Sequence, residues 1–293
     1  MEKSKNILVI STLFALSSCN LFHDYSKVED EVYLENLFDS KVCIIGDTGT
    51  GSSDQHLVAK EMSKENCKNI IHTGDLIYPD GLKSTDDPKF KLNFLDPFAE
   101  SMTTSRFFLT LGNHDYRRDP KPYLDLAKTN ESIVFPNYYY LARFQDACLL
   151  FIDTNLNYRG SQEKWLRNKV NELINCSSSF IIGHHPLVSS GDHGNATGLI
   201  KSFLEKYVKD HTPLYISGHD HQLSYEKIDE HTFQLISGAG AKLRPVKKLP
   251  TTLFVKSDLG YVVLEKVNGK INIIFKVINF NKESEEAFRT ILD

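Results

Sequence analysis

Five times along the chain, a short apolar run ends in glycine and is followed at once by a side chain able to hold a cation. Lys41–Ile45 runs into Gly46-Asp47, Asn69–Thr73 into Gly74-Asp75, and Phe107–Leu111 into Gly112-Asn113-His114-Asp115. Phe180–Ile182 leads to Gly183-His184-His185-Pro186, and Leu214–Ser217 to Gly218-His219-Asp220-His221. Carboxylate, amide and imidazole groups are the oxygen and nitrogen donors that first-row metal ions take. A polar residue after glycine at a strand's carboxyl end projects into the crevice where α/β proteins bind ligands. Glycine there permits a tight turn and close backbone approach. One Gly-Asp pair carries little information, but five such junctions predict a single site. His219 and His221 are two apart, so on extended backbone both imidazoles face one side and can reach two adjacent ions. Asp115 and Asp220 are expected to fix loop geometry, His185 to line the pocket mouth, and His72 to be a hydrogen-bonded core residue.

Continuous apolar runs of this length suit strands buried on both faces. Between them the apolar spacing predicts helices over 54–66, 88–101, 161–173 and 197–209. Trp165, Leu166, Val170 and Leu173 form the inward face of the third. The later chain is strand-rich, with runs over 138–144, 148–153, 224–228, 232–237, 261–267 and 270–278. Asn268-Gly269 between the last two marks a hairpin turn. The alternation predicts an α/β architecture of two sheets packed face to face with helices outside.

The five motifs, with Gly74-Asp75-Leu76-Ile77-Tyr78 and the later Ser237-Gly238-Ala239-Gly240, resemble the calcineurin-like metallophosphoesterases. Within them the chain is most similar to the small, single-domain purple acid phosphatases. The resemblance covers about residues 41 to 241. It implies a four-layer α-β-β-α sandwich of two mixed sheets flanked by helices, with a binuclear metal centre. It also implies that Asp47, Asp75, Tyr78 and His221 bind one metal. Asp75, Asn113, His184 and His219 would bind the second, Asp75 bridging the two. Most members of the superfamily carry a histidine where this chain has Gly49, and lack the aromatic that it has at Tyr78. The phenolate would replace the missing nitrogen and favour Fe(III) at the first position, with a divalent Fe, Zn or Mn at the second. The implied chemistry is hydrolysis of phosphate monoesters, an acid phosphatase activity, through attack by a metal-bound hydroxide. His114 and His193 would be the catalytic histidines, the first bonding a phosphate oxygen and the second acting as general acid. Expected substrates are phosphorylated small molecules or phosphoproteins. A phosphodiesterase or nucleotide-directed hydrolase on the same centre is the alternative, and a non-catalytic envelope adaptor is the reading from another class.

Composition constrains partners and location. Thirty-four Lys and Arg against 38 Asp and Glu give a net charge of −4 with no basic block, so no nucleic-acid partner is expected. The start reads as a leader: a basic opening, the apolar run Ile7–Leu16, then Ser17-Ser18-Cys19, too short to span a bilayer. Leu16-Ser17-Ser18-Cys19 resembles a bacterial lipoprotein cleavage box, which implies cleavage before Cys19 and its acylation. The expected organisation is a signal peptide over 1–18, a tether over 19–39, a catalytic domain over 40–280 and a C-terminal tail over 281–293. The mature protein would be exported and lipid-anchored in the cell envelope, at the periplasmic face or cell surface. Of the remaining cysteines, Cys43 and Cys148 fall in apolar runs and read as buried small hydrophobes. A disulfide such as Cys67–Cys176 is permitted, with the pairing open.

Overall fold

The computed structural model describes residues 30–157 and 159–292. Cys19 and the leader lie outside the described residues. The first strands are β1 (Glu31–Leu34), β2 (Val42–Ile45), β3 (Asn69–His72), β4 (Arg106–Leu109) and β5 (Ile133–Val134). They are followed by β6 (Tyr140–Phe144), β7 (Cys148–Phe151), β8 (Ser179–Ile182), β9 (Leu214–Ser217) and β10 (Leu223–Lys227). Last come β11 (Phe233–Ser237), β12 (Thr252–Lys256), β13 (Gly260–Val267), β14 (Lys270–Ile278) and β15 (Ser284–Leu292). One sheet has the order β1-β6-β7-β8-β9-β11-β10-β12, the other β15-β14-β13-β2-β3-β4-β5. In the second, β2 to β5 are parallel and β13 to β15 antiparallel. In the first, β7, β8, β9 and β11 run parallel to one another and β1 runs parallel to β6, while β6 is antiparallel to β7 and β10 is antiparallel to both β11 and β12. Both sheets are therefore mixed, as the resemblance implies.

Strand alternation divides the apolar residues between two cores. Leu149, Phe151, Phe180, Ile182, Leu214 and Ile216 face the other sheet, joining Ile44, Phe108 and Phe275. Their neighbours Leu150, Ile152, Ile181 and Tyr215 point outward onto Leu166 and Val170 of one helix and Phe203 and Leu204 of another. The helices are α1 (Ser53–Ser63), α2 (Pro88–Phe90), α3 (Ala99–Met102), α4 (Lys121–Ala127), α5 (Arg159–Glu172) and α6 (Gly198–Tyr207). The Asn268-Gly269 hairpin forms as expected, both residues having positive φ.

Four expectations need correction. The helix over 88–101 is broken into α2, a π-helical stretch Lys91–Leu95 and α3, because Pro97 has no amide hydrogen to continue the ladder. The stretch assigned to a tether contains β1, which pairs in parallel with β6. The segment assigned to a tail is β15, paired along β14. Polar edge strands read as loops in sequence because only one face and one edge of each is covered. Finally, Cys43 and Cys148 are not free thiols: the disulfides are Cys43–Cys67 and Cys148–Cys176. Cys67 lies just before β3, beside β2, whereas Cys176 follows α5 beside β7. A Cys67–Cys176 bond would have to join different sheets.

Charge locks β1 into its sheet. Buried Glu31 takes hydrogen bonds from Arg143 (2.7 Å), Lys169 and Tyr33 (2.9 Å). Burial alone would raise its pKa, but the bonds from Arg143 and Lys169 outweigh burial and bring it from 4.5 to about 2. A lowered native pKa contributes stability that is complete above the unfolded value. That contribution fades as pH falls from about 4.5 to about 2. Glu31→Gln should therefore lower thermal stability near pH 6 and flatten its pH dependence across that window. An unchanged pH–melting curve would contradict the assignment.

Candidate metal centre

The parallel strands β2, β3, β4, β8 and β9 end at one edge of the sandwich, and their following loops converge there. They bring together all seven residues expected to bind metal. His184 Nε2 and His219 Nδ1 each face the Asn113 side-chain oxygen, at 3.2 and 3.0 Å, and stand 3.2 Å from each other. Asp75 Oδ1 is 3.7 Å from His184 Nε2. On the other side, the Tyr78 hydroxyl lies 3.1 Å from His221 Nε2 and 3.3 Å from Asp47 Oδ1. His221 Nε2 and Asp47 Oδ1 are 3.7 Å apart. Ligands ~2.1 Å from one ion stand ~3.0 Å apart at right angles and ~3.4 Å apart in a tetrahedron. The spacing of both clusters falls around that range.

The donor chemistry also fits cations. Asp47 and Asp75 are buried, and among the described residues their ion-pair partners are histidines only. Burial, then the charge of Asp75, pushes the Asp47 pKa well up. Two buried carboxylates without Lys or Arg are costly unless something positive joins them. Burial holds His221 down at about 4 and lowers His184, so both rings are neutral and free to ligate. His184 Nδ1 lies 2.8 Å from the Thr73 carbonyl oxygen, which can only accept. The proton is thereby on Nδ1 and the lone pair of Nε2 points into the cluster. Burial and the neighbouring Asp47 push the Tyr78 phenol well up, so a cation is what would make it a phenolate.

The loops are shaped to deliver these groups. Asp47, Asp75 and His219 have φ of 57°, 54° and 70°, left-handed conformations uncommon outside glycine. A Cβ at Gly112 would stand 2.1 Å from Asp75 Oδ1, and one at Gly218 2.5 Å from Asp47 Oδ2. At Gly49 a Cβ would meet the Leu76 carbonyl at 2.2 Å, so no side chain can enter the site from that position. The π-helical stretch presents Asn93, whose side chain donates to the Gly49 carbonyl at 2.9 Å. Asp115 behaves as expected, accepting from the amides of Leu76, Ile77 and Gly112 and from the Tyr123 hydroxyl. His72 is buried and hydrogen-bonded to Thr48 at 2.9 Å.

His114 and His193 flank the two clusters. His114 donates from Nδ1 to the Pro79 carbonyl at 2.6 Å, and its Nε2 is 4.0 Å from Asp75. Donation from Nε2 to a phosphate thus requires the doubly protonated ring. The His193 ring stacks on that of His219 with centroids 4.4 Å apart. Its loop is anchored: the His193 amide donates to Asp220 at 3.0 Å, and Ser190 Oγ donates to buried Glu226 at 2.6 Å. Two cations escaped the sequence reading. Lys242 lies over the Tyr78 ring at 4.0 Å, and Arg244 joins it in a cleft of about 400 Å³ with Tyr78, His114, His221 and Asp54. Their only sequence signal is proximity to Ser237-Gly238-Ala239-Gly240.

Comparison with known proteins agrees with this geometry. The profile of the calcineurin-like phosphoesterase family matches residues 40–223. Purple acid phosphatase 4 of Arabidopsis thaliana is 30% identical over 228 residues, covering 68% of this chain and 67% of the relative. Tartrate-resistant acid phosphatase type 5 of Oryctolagus cuniculus is 26% identical, over 60% of this chain and 62% of its own. Among solved structures, GAP50, described as the anchor in the inner membrane complex of Plasmodium, superposes with a TM-score of 0.74 at 25% identity. That match covers 87% of this chain and 88% of the other.

Proposed function

The chain belongs to the calcineurin-like phosphoesterases, and from that premise we propose that it is a phosphomonoesterase of the purple acid phosphatase type. Asp47, Asp75, Tyr78 and His221 hold Fe(III); Asp75, Asn113, His184 and His219 hold a divalent Fe, Zn or Mn. The observation that carries the reading is the Tyr78 hydroxyl, set 3.1 Å from His221 and 3.3 Å from Asp47 opposite a glycine with no room for a side chain. When bound, the two ions supply Lewis acidity at phosphorus and an activated water. The protein's own groups do the rest. Asp47 and Asp75 offset the ionic repulsion. His114 holds a phosphate oxygen through Nε2, and His193 gives a proton to the departing alkoxide. Lys242 and Arg244 give the cleft wall positive charge for a phosphorylated small molecule or phosphoprotein.

The test is the visible spectrum and metal content of the purified protein, with turnover of an aryl phosphate against an aryl diester. Phenolate-to-iron charge transfer should give colour that disappears in Tyr78→Phe. A colourless, iron-free, active enzyme would overturn the metal assignment. Faster cleavage of the diester would favour the phosphodiesterase reading. GAP50's description as an anchor favours the adaptor reading. The complete donor set here argues for catalysis, since an adaptor needs none of it.

We further propose export and lipid anchoring through Cys19. Support comes from the two disulfides, which suit an oxidising compartment. Among the described residues, no helix is long and apolar enough to cross a membrane.

A further inference from the structure

We propose that His185 binds substrate: its Nε2–H, held in that tautomer by Thr154, donates a hydrogen bond to an oxygen of the phosphoryl group at the Asn113–His184–His219 cluster. This deepens the phosphoesterase reading and rests on it.

The tautomer follows from one hydroxyl proton. Thr154 is buried, and its Oγ1 accepts from the His185 backbone amide at 3.0 Å. The same oxygen lies 2.8 Å from His185 Nδ1. A buried hydroxyl finds an acceptor for its proton, and Nδ1 is the acceptor beside it. Nδ1 therefore presents its lone pair to Thr154, and the ring proton resides on Nε2. The main chain is pinned as well, since the Tyr215 hydroxyl donates to the His185 carbonyl at 2.6 Å. With amide, carbonyl and Nδ1 all held, the free edge of this half-buried ring carries the Nε2–H.

The proton on Nε2 argues for a donor and against a further metal ligand. The donors of Asn113, His184 and His219 stand 3.0 to 3.2 Å apart. A nitrogen of His185 lies within 4.8 Å of ligand nitrogens of His184 and His219, near enough to reach an oxygen bound at that cluster. Its ring packs 4.5 Å from that of His219, whose ring also stacks with His193 at 4.4 Å. His185 and His193 both border His219, at the rim of the cluster. A nitrogen bearing a proton cannot ligate, but it can bond an anionic oxygen, and charge-assisted bonds of that kind are the strong ones.

Inorganic phosphate is the probe. His185→Phe keeps a ring against His219 and removes the donor. It should weaken phosphate binding, by calorimetry and as a competitive inhibitor, about tenfold to a hundredfold. Both metal ions should remain. Thr154→Val, which frees the tautomer, should weaken phosphate binding by a smaller factor, and Thr154→Ser should restore it. In the zinc-loaded protein, histidine 15N shifts should show His185 Nε2 protonated and Nδ1 bare. Unchanged phosphate affinity in His185→Phe, loss of a metal ion from that variant, or a protonated Nδ1 would each overturn the proposal. If the wild-type protein cleaves no phosphoester, the functional reading fails, while phosphate binding and the tautomer still decide the role of His185.

Discussion

Asp75→Asn is expected to cut phosphoester turnover about a thousandfold or more, through loss of several kcal/mol of electrostatic stabilisation, while leaving the fold intact. Asp75 stands between the two donor clusters, with Oδ1 toward His184 and Oδ2 toward His114. Asparagine has the same shape, so the tight fit against Gly112 survives, and it keeps an oxygen to accept the His114 amide bond seen at 2.9 Å. What disappears is the charge that the two proposed cations would share. In metal-free protein the same change removes one of two neighbouring buried carboxylates, and with it the charge that adds to burial in pushing the Asp47 pKa up. The apo form of the variant should therefore melt no lower than apo wild type, while the stabilisation gained on adding metal shrinks. Turnover within tenfold of wild type would place the chemistry elsewhere, and an unfolded variant would show Asp75 to be a packing residue.

The second large effect concerns the disulfides. Cys43–Cys67 closes 24 residues and Cys148–Cys176 closes 28. Chain-entropy arguments give each about 3.5 kcal/mol of stabilisation, a sizeable part of the 5–15 kcal/mol typical of a domain. Replacing either pair with serine should lower the melting temperature by about 10 °C. Replacing both should leave the protein largely unfolded when made at 37 °C. Full-length protein that melts at the same temperature with and without reductant would refute this.

The convergence of the candidate metal ligands was legible in sequence because five of the seven, Asp47, Asp75, Asn113, His184 and His219, directly follow a glycine after a buried strand, a local pattern with a local cause. The two-sheet architecture was legible for the same reason, its central strands being apolar on both faces. What sequence did not disclose depends on distant partners. Edge strands β1 and β15 look polar, and β1 is held by Arg143 and Lys169, more than a hundred residues away. The break after Phe90 was signalled by Pro97, yet an apolar period of Phe90, Phe94 and Phe98 hid it. Those rings do pack in series, with centroids 5.6 Å apart, but around a π-helical turn. The cysteine pairing required knowing which strands are neighbours. The role of Thr154 emerged only when the loop after β7 was seen against the loop after β8.

The left-handed backbone at Asp47 and Asp75 has a consequence for how these positions could vary. Among residues with a side chain, Asn, Asp and His visit that conformation several-fold more readily than the rest. Glutamate would keep the charge but meet the full conformational penalty, of order 1 kcal/mol or more, in loops already crowded by glycine neighbours. A saturation library at either position should thus find Asp, Asn and Gly the most stable and admit a single letter for activity. Backbone shape and the proposed metal chemistry favour the same residue independently.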